Sequence, residues 1–594
     1  MTSTIVKAMT HGSYRWDLSA LFPDPEAFEA ALEELRRRAE ALLAWRDRLE
    51  GITPEAFREL LAELEAYHDL AQRVRAYAAL RFSEDATSEA AQADLARVQS
   101  LLSELEAELL FFETFWRDLP EEGAQALLEA AGERYAPWLR KLRAWRPHLL
   151  GEEAERAIRM KNVAARAHAK TYDVLNDRYR IAFEAEGERF VIQKSELGRY
   201  TRDPRPAVRR AAYEATLDLY AKETLVLGEL YRMLVLDWRG EYVKLRGFPT
   251  PIAARNKMNE LPDEVVTALL TAVREGAEVF RDYFRLKARA LGEERLSRYD
   301  LYAPVLEGKK RYAFEEALER VERALAAFDP EFAALARRVI EEGHIDVYPR
   351  PGKRGGAFSY GPVPGITPYL LLNYQGHPRD VATLAHELGH AVHALLAAEH
   401  PVFTFHAPLP LAETASTFAE LLLTDALLAE EEDPKLRAQI LFHELDDAYA
   451  TVVRQAYFAL FEIEAHERLA AGAPLAEVHE AYAKTLSEQF GDAVEVPEAF
   501  RYEWLMVPHF FHTPFYVYAY AFGQLLVYAL FGRYQKEGPA FVPRLRRILA
   551  AGGTRPPAEL LSAEGFAVTD PGFWREGFAY LKGRVRELEG LLER

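Results

Sequence analysis

The chain has 594 residues, a formal net charge of -19 at pH 7 and no cysteine. This length predicts roughly three or four domains. The lack of cysteine excludes disulfides, thiolate metal sites and cysteine nucleophiles, and it fits a reducing compartment. The acidic balance, without a long run of Lys or Arg, argues against nucleic acid as a partner.

The opening residues predict a soluble cytoplasmic protein. They read "MTSTIVKAMTHGSYRWDLSALF" and lack the charged-then-apolar pattern of a secretory signal. Long amphipathic helices follow at 27–50 and 89–116, where apolar residues recur every three or four positions among strong helix formers. A boundary near residue 195 is expected to divide an N-terminal helical region, 1–195, from a second region, 196–594.

Strand signals are few. The segment "YRIAFEAEGERFVIQ" at 179–193 alternates polar and apolar residues around "EGE" and predicts a hairpin. "GGAFSYG" at 355–361 follows a basic turn and predicts a short strand. We therefore expect a mainly α protein with one small β-sheet.

The most informative motif is "HELGH" at 386–390 within the helical pattern "VATLAHELGHAVHALLAA". Residues four apart share a helix face, so His386 and His390 can direct ring nitrogens at a point about 2 Å away, the usual zinc–nitrogen distance. Glu387 lies about 100° around the helix, where its carboxylate can take a proton from a zinc-bound water. Gly389 costs roughly 1 kcal/mol in a helix interior, which is understandable if substrate or another segment approaches closely there.

His393 lies on the same face but about 10 Å further along the axis than His386, too far to share one ion with it. We assign His393 either to substrate contact or to a structural hydrogen bond. The sequence lacks an H-E-x-x-H-x-x-G-x-x-H extension, so a three-histidine site of that type is excluded.

The third ligand should come from a later segment. "LPLAETASTFAELLLTDALL" at 409–428 predicts an amphipathic helix with Glu413 on a largely apolar face and Glu420 two turns later on the same side. Either could bind the metal while the other orients a ligating histidine. A catalytic zinc needs three protein ligands and an open position, which His386, His390 and Glu413 would supply.

A long apolar stretch, "FYVYAYAFGQLLVYALFG" at 515–532, is nearly long enough to span a bilayer. It contains Gln524 and four tyrosines, whose polar groups need partners when buried, so it predicts a buried helix and not a membrane span. With the preceding "PHFFHTP" it offers His509, His512 and several tyrosines as donors to an oxyanion. On a helix Tyr516 and Tyr520 share a face while Tyr518 points roughly opposite.

The run "PYLLLNYQGHPRDVATLAHELGHAVHALLA", followed by "LPLAETASTFAELLL", resembles the oligoendopeptidase F family, which belongs with thimet oligopeptidase and neurolysin among the zinc metallopeptidases. Further matching pieces occur in the expected order along nearly the whole chain: "WDLSALFP" (16–23), "RYDLYAP" (298–304), "IDVYPRPGKRGGAFSYG" (345–361) and "PHFFHTPFYVYAYAFG" (508–523). The resemblance implies two mainly helical lobes around a deep channel, with the small sheet near the zinc helix and 196–594 as the catalytic region.

The resemblance also implies roles for single residues. His386, His390 and Glu413 match the family's zinc ligands, Glu413 within an E-x-x-S/T context. Glu387 matches its catalytic base, and Glu420 matches a glutamate that supports the ligands.

For the later segment the resemblance implies substrate contact by His509 and Tyr518, with Tyr516 in reserve and His512 nearby. This sequence departs from better-known relatives here, because the spacing is shorter and Phe511 occupies the place of an extra tyrosine.

The glycines of "GKRGGAFSYG" permit close backbone approach, and an edge there could hydrogen-bond an extended peptide through Gly356, Ala357 and Phe358.

We therefore expect a zinc-dependent endopeptidase, with one Zn2+ per chain, that acts on short peptides. One alternative is a carboxypeptidase or dipeptidyl carboxypeptidase of the same family, with Arg350, Lys353 or Arg354 gripping a terminal carboxylate. The other is a non-catalytic peptide-binding protein with structural zinc, although such a site has no use for Glu387.

Overall fold

The structure is a computed structural model that describes residues 14–306 and 310–593. Residues 1–13, on which part of the secretory-signal prediction rests, lie outside the described residues. Among those described, no helix is both long and apolar enough to cross a membrane.

Helices dominate these ranges, which confirms the mainly α prediction. They are α1 (Pro25–Leu43), α2 (Pro54–Glu84), α3 (Glu89–Asp118), α4 (Glu121–Arg143), α5 (Glu152–Arg178), α6 (Leu197–Tyr200), α7 (Pro206–Lys222), α8 (Thr224–Trp238), α9 (Pro251–Met258), α10 (Asp263–Leu291), α11 (Phe314–Phe328), α12 (Pro330–Glu341), α13 (Pro378–Leu396), α14 (Leu409–Ala412), α15 (Thr414–Glu430), α16 (Pro434–Ala448), α17 (Arg454–Ala470), α18 (Leu475–Phe490), α19 (Pro508–His512), α20 (Tyr518–Glu537), α21 (Val542–Ala550), α22 (Pro557–Ala563) and α23 (Pro571–Leu592).

Short strands in the described ranges form three small sheets, so the prediction of a single sheet was wrong. The strands are β1 (Ile181–Ala185), β2 (Glu188–Ile192), β3 (Leu296–Ser297), β4 (Ile345–Asp346), β5 (Phe358–Tyr360), β6 (Tyr369–Leu371) and β7 (Val494–Glu495). The parallel pair β3–β7 was not predicted, because a strand of two residues is too short to show an alternation of polar and apolar residues.

Both predicted strand segments are present. Strands β1 and β2 form the antiparallel hairpin, and Glu186 and Gly187 between them have φ of 52° and 81°, as a tight hairpin turn requires. Strand β5 is the edge of a three-stranded sheet ordered β4-β6-β5, in which β6 pairs antiparallel with β5 and parallel with β4.

Local sequence signals set many helix boundaries. Asp24, Thr53 and Ser88 each accept a hydrogen bond from the backbone N–H three residues later, and thus cap α1, α2 and α3. The helix predicted at 27–50 ends at Leu43 and is followed by a 3-10 turn at Arg46–Arg48. The predicted buried helix is α20, whose residues Ala521, Leu525 and Leu530 are fully buried.

The chain forms two compact units, each built from three stretches of sequence. The first unit contains the described residues of Met1–Pro147, Lys310–Leu427 and Tyr534–Leu560, and the second contains those of His148–Lys309, Leu428–Arg533 and Leu561–Arg594. The boundary predicted near residue 195 lies within the second unit. That two-region division and the channel implied by the resemblance stay predictions.

Helix α13, which carries the H-E-x-x-H motif, lies in the core of the first unit. It begins at Pro378, where the side chains of His377 and Asp380 form a reciprocal cap. It packs against α11, α12, β5 and β6, and Leu384 and Leu388 on it are fully buried. This packing confirms the prediction that a small sheet lies near the motif helix.

Candidate active site

Two histidines and a glutamate converge in the first unit. His386 and His390 lie one turn apart on α13, and Glu413 lies between α14 and α15. The Nε2 atoms of the histidines are 3.1 Å apart, and Oε2 of Glu413 is 3.2 Å from Nε2 of His386 and 3.1 Å from Nε2 of His390. The three potential ligand atoms therefore form a nearly equilateral triangle.

This triangle has the dimensions of a zinc site. Two ligands bound about 2.05 Å from a tetrahedral ion stand roughly 3.3 Å apart, close to the observed spacings. Two imidazoles and one carboxylate are also the donor set of many catalytic zinc sites. About half of the Glu413 side chain is exposed, 52%, so solvent reaches one side of the cluster. Among the described residues, this is the group whose His and Glu atoms could hold a metal ion together.

Glycine at position 389 explains how α15 reaches the histidines. A Cβ at this position would lie 2.6 Å from the Cα of Ser416 and 2.7 Å from the carbonyl oxygen of Ala415. Those atoms are backbone and cannot move aside without shifting α15. Of the two explanations expected for Gly389, the close approach of another segment is the one that the structure shows.

Two further side chains orient the cluster. Oε1 of Glu420 lies 2.5 Å from Nδ1 of His386, so it fixes the ring and leaves Nε2 facing Glu413. The hydroxyl of Ser416 donates to Oε2 of Glu413 at 3.0 Å, which gives a physical reason for the E-x-x-S spacing. The structure thus places Glu413 beside the Nε2 atoms of both histidines, and Glu420 on the other side of the His386 ring.

The electrostatics of the cluster favour positive charge. Burial alone would lower the pKa of the His386 imidazole, but the hydrogen bonds to Glu413 and Glu420 outweigh burial and raise it to about 10. Burial would likewise raise the pKa of Glu413, yet its bonds with His386 and His390 hold that pKa well below its usual range. A divalent cation would meet the same demand for positive charge that a proton meets here.

Glu387 lies next to His386 on α13. Its residue is only 6% exposed, and burial raises the pKa of its carboxyl although His386 and His390 act in the opposite direction. A carboxylate with a raised pKa is a better proton acceptor than an exposed one, which suits a general base.

The side chain of His393 makes its hydrogen bond inside the protein. Its ring is buried and donates a hydrogen bond to the backbone carbonyl of Ala412, and burial lowers the pKa of the imidazole to about 4. Because Ala412 precedes Glu413, this bond ties α13 to the segment that carries Glu413. Of the two roles predicted for His393, the structural hydrogen bond is the one that the structure shows, in place of substrate contact.

His509, Tyr516 and Tyr520 form a compact group in the second unit. Nε2 of His509 is 3.2 Å from the hydroxyl of Tyr520, and the rings of His509 and Tyr516 are stacked at 6.0 Å. The rings of Tyr516 and Tyr520 meet edge to face at 5.3 Å, as their shared helical face predicts. All three are half-buried, whereas His512 is exposed and bonded to Asp173 at 2.8 Å.

Tyr518 does not belong to this group, and its assignment as an oxyanion donor is corrected. Its side chain is fully buried, and its hydroxyl accepts a hydrogen bond from Asn259 at 2.8 Å. Burial raises the pKa of its phenol well above the usual value. Tyr520 takes its place beside His509, and helical periodicity was the signal in the sequence that could have identified it.

The predicted peptide-binding segment borders the metal helix. Gly356 and Ala357 precede the edge strand β5, which begins at Phe358 and contacts α13. The side-chain amide of Asn373 donates to the carbonyl of Gly356 at 2.8 Å and thus fixes the backbone that leads into β5.

Three cationic side chains were suggested to bind the terminal carboxylate of a substrate, and two of them are already bonded to an aspartate. Arg350 makes two bonds to Asp346, at 2.6 and 2.7 Å, and Lys353 donates to the same carboxylate at 2.6 Å. The side chains of Lys353 and Asp346 are completely buried. Arg354 is exposed and lies over the ring of Phe358.

Comparison with known proteins agrees with the geometry. The family model of peptidase family M3 matches residues 199–580, and that of oligopeptidase F matches residues 116–178. The chain is 27% identical to the group B oligopeptidase PepB of Streptococcus agalactiae, over 98% of this chain and 97% of that protein. It is 26% identical to the oligopeptidase PepF of Bacillus subtilis, over 97% and 87%.

Solved structures share the fold. A candidate peptidase from Chlamydophila abortus has a TM-score of 0.91 at 25% identity, over 98% of this chain and 99% of that one. The oligoendopeptidase F of Enterococcus faecium has a TM-score of 0.71 at 24% identity, over 96% and 99%.

Proposed function

Because the chain belongs to peptidase family M3 and to its oligoendopeptidase F group, we propose that it is a zinc-dependent endopeptidase that hydrolyses internal bonds of short oligopeptides. The observation that carries the proposal is the triangle of His386, His390 and Glu413, with its ligand atoms 3.1–3.2 Å apart, beside the buried Glu387. These three residues would hold the zinc.

Zinc bound there would lower the pKa of a water and polarise the scissile carbonyl. Glu387 takes a proton from the attacking water as general base and delivers it to the leaving amine as general acid. Glu420 keeps the ring of His386 in the orientation that presents Nε2, and Ser416 does the same for the Glu413 carboxylate.

Residues outside the metal cluster are proposed to bind the substrate. His509 and Tyr520, with Tyr516 beside them, donate to the oxyanion that develops as the peptide carbonyl is attacked. His512 binds substrate nearby. An extended peptide hydrogen-bonds the edge of β5, approached through Gly356, Ala357 and Phe358, in the strand-addition mode.

The endopeptidase assignment has more support than the carboxypeptidase alternative. A carboxypeptidase needs a cation for the terminal carboxylate, and two of the three candidates, Arg350 and Lys353, are bonded to Asp346. Arg354 is the candidate left for that role. We further propose a cytoplasmic location and no nucleic-acid or membrane partner, in keeping with the cysteine-free composition and the net charge of -19.

Replacing Glu387 with Gln tests the general base. The amide keeps the shape of the side chain but cannot accept a proton, so we expect kcat to fall by roughly a hundred- to ten-thousandfold. Zinc per chain, measured by atomic absorption, should stay at the wild-type value because Glu387 is not a ligand. Wild-type turnover of an internally quenched peptide by E387Q would refute the assignment.

Peptides with blocked ends separate the two modes of cleavage. An endopeptidase should cut an acetylated and C-terminally amidated peptide at the same internal bond as the free peptide, with mass spectrometry locating the products. A carboxypeptidase would lose the amidated substrate, since its grip on the terminal carboxylate is gone. Cleavage of the free peptide alone would therefore favour the alternative function.

A further inference from the structure

The group of His509, Tyr516 and Tyr520 depends on a sharp turn between α19 and α20. These residues span 12 positions, yet their side chains touch. The turn reaches this geometry through Phe515, whose φ of +57° lies in the left-handed region. A bulky side chain adopts that conformation only when its surroundings enforce it.

Two side chains from elsewhere in the second unit bond to this turn, and a third bonds to Tyr518 at the start of α20. Nε of Arg255 donates to the carbonyl of Pro514 at 3.0 Å. The backbone N–H of Phe515 donates to Oε1 of Glu462 at 3.0 Å. The amide of Asn259 donates to the hydroxyl of Tyr518 at 2.8 Å and anchors the first turn of α20.

Glu462 is an unusual residue to find in this role, because its side chain has no exposure at all. A fully buried carboxyl is costly unless it makes a bond that the fold needs. Burial raises the pKa of Glu462 to about 8, against the opposing effects of the Phe515 N–H and Arg255. Burial therefore favours the neutral form of this carboxyl, and its Oε1 accepts the hydrogen bond from the Phe515 N–H.

We propose that Glu462 and Arg255 are positioning residues for catalysis, because they hold the backbone of Pro514 and Phe515 in the strained turn that brings Tyr516 and Tyr520 against His509. This inference rests on the proposed function, in which that group contacts the substrate. Neither residue needs to touch the substrate. Loss of the Glu462 acceptor lets Phe515 leave the left-handed region, and the donors then separate.

The test compares two replacements of Glu462. Gln keeps an oxygen that can accept from the Phe515 N–H, whereas Leu has a similar shape without an acceptor. We expect E462L to lower kcat at least about tenfold with KM within about twofold, because donors to the transition state are lost. E462Q should stay within about twofold of wild type. Zinc per chain should be unchanged in both variants.

The matched control is Glu444, another glutamate of the second unit with a buried side chain, which bonds to Tyr580 and Arg584. E444L should lower the midpoint of thermal unfolding without changing kcat, measured well below that midpoint. If E462L behaves like E444L, or if E462Q loses as much activity as E462L, the inference is overturned.

Crystal structures of the variants separate this inference from the proposed function. We expect the contact between Nε2 of His509 and the Tyr520 hydroxyl to be broken in E462L and kept in E462Q. An intact contact in E462L overturns the inference whatever the enzyme's activity. Full peptidase activity in E387Q would refute the proposed general base while leaving this structural result standing.

Discussion

At the scale of single residues, Tyr518 and Tyr520 have different surroundings although they are only two positions apart in α20. They are about 200° apart around α20, since each residue turns an α-helix by about 100°. Tyr518 points into the core and accepts from Asn259, whereas Tyr520 lies against His509. Resemblance to a family with different spacing pointed to Tyr518, while the helical period of this chain showed only that Tyr520 shares a face with Tyr516 and not with Tyr518.

Removing each hydroxyl should separate the two roles. Y520F should lower kcat by roughly ten- to a hundredfold, because a donor to the oxyanion is lost. Y518F should leave kcat within about twofold but lower the stability by about 1–2 kcal/mol, since the buried amide of Asn259 loses its acceptor. Peptide turnover and urea unfolding of the two variants check both expectations. If Y518F loses more kcat than Y520F, the assignment of Tyr520 as the oxyanion donor is contradicted.

At the scale of elements, the candidate metal site depends on how closely α13 and α15 approach. Gly389 lies between the two histidines and permits that contact, and His393 bonds to Ala412 one residue before Glu413. Glu420 reaches back from α15 to His386. The distance between the two helices therefore decides whether three ligand atoms meet.

Adding a methyl group at Gly389 should damage the site even though alanine favours helices. G389A places a Cβ where the backbone of Ala415 and Ser416 now lies, so α15 must shift and carry Glu413 away from the histidines. We expect zinc per chain to fall to less than about half of the wild-type value, measured after dialysis against a fixed free zinc concentration.

The matched control is Gly583, which lies inside α23 at a position where an added Cβ would meet open space. G583A should keep its zinc and gain up to about 1 kcal/mol of stability from helix propensity. Equal zinc content in G389A and G583A would show that the close approach does not govern metal binding.

At the scale of the whole molecule, the chain is a metallopeptidase of family M3 whose helical units bury several histidines. Burial lowers the pKa of His68 and of His479 to about 4, and that of His466 to about 3. An unfolded histidine binds its proton near pH 6.5. Between about pH 6.5 and 4 the unfolded chain therefore binds more protons at these positions, and their contribution to stability falls as the pH falls.

His466 offers a test of this linkage, because neither of its ring nitrogens has a hydrogen-bond partner among the described residues. We expect the urea midpoint of the wild type to drop between pH 7.5 and pH 5, and H466L to drop by less. His443 has a side chain that is 51% exposed, so H443Q serves as the control and should keep the wild-type dependence. If the urea midpoint of H466L changes with pH as much as that of the wild type, His466 does not contribute to the pH dependence of stability.

The amino-acid sequence by itself determined the features that depend on neighbours in the chain. Helical periodicity identified the long helices and the buried helix α20, and alternation around Glu186 and Gly187 identified the hairpin. The four-residue spacing of His386 and His390 placed both on one face of a helix, because one turn of helix separates them. Resemblance to a known family supplied Glu413 and Glu420, between which the residues alone did not decide.

Only the tertiary structure decided what depends on residues far apart in the chain. It placed the Ala415–Ser416 backbone against Gly389, paired Arg350 and Lys353 with Asp346, and bonded Tyr518 to Asn259, 259 residues away. It also brought Glu462 to the N–H of Phe515. Periodicity reports which face of an element is apolar, but not which element covers it, and hydrogen-bond partners across the core carry no local signal.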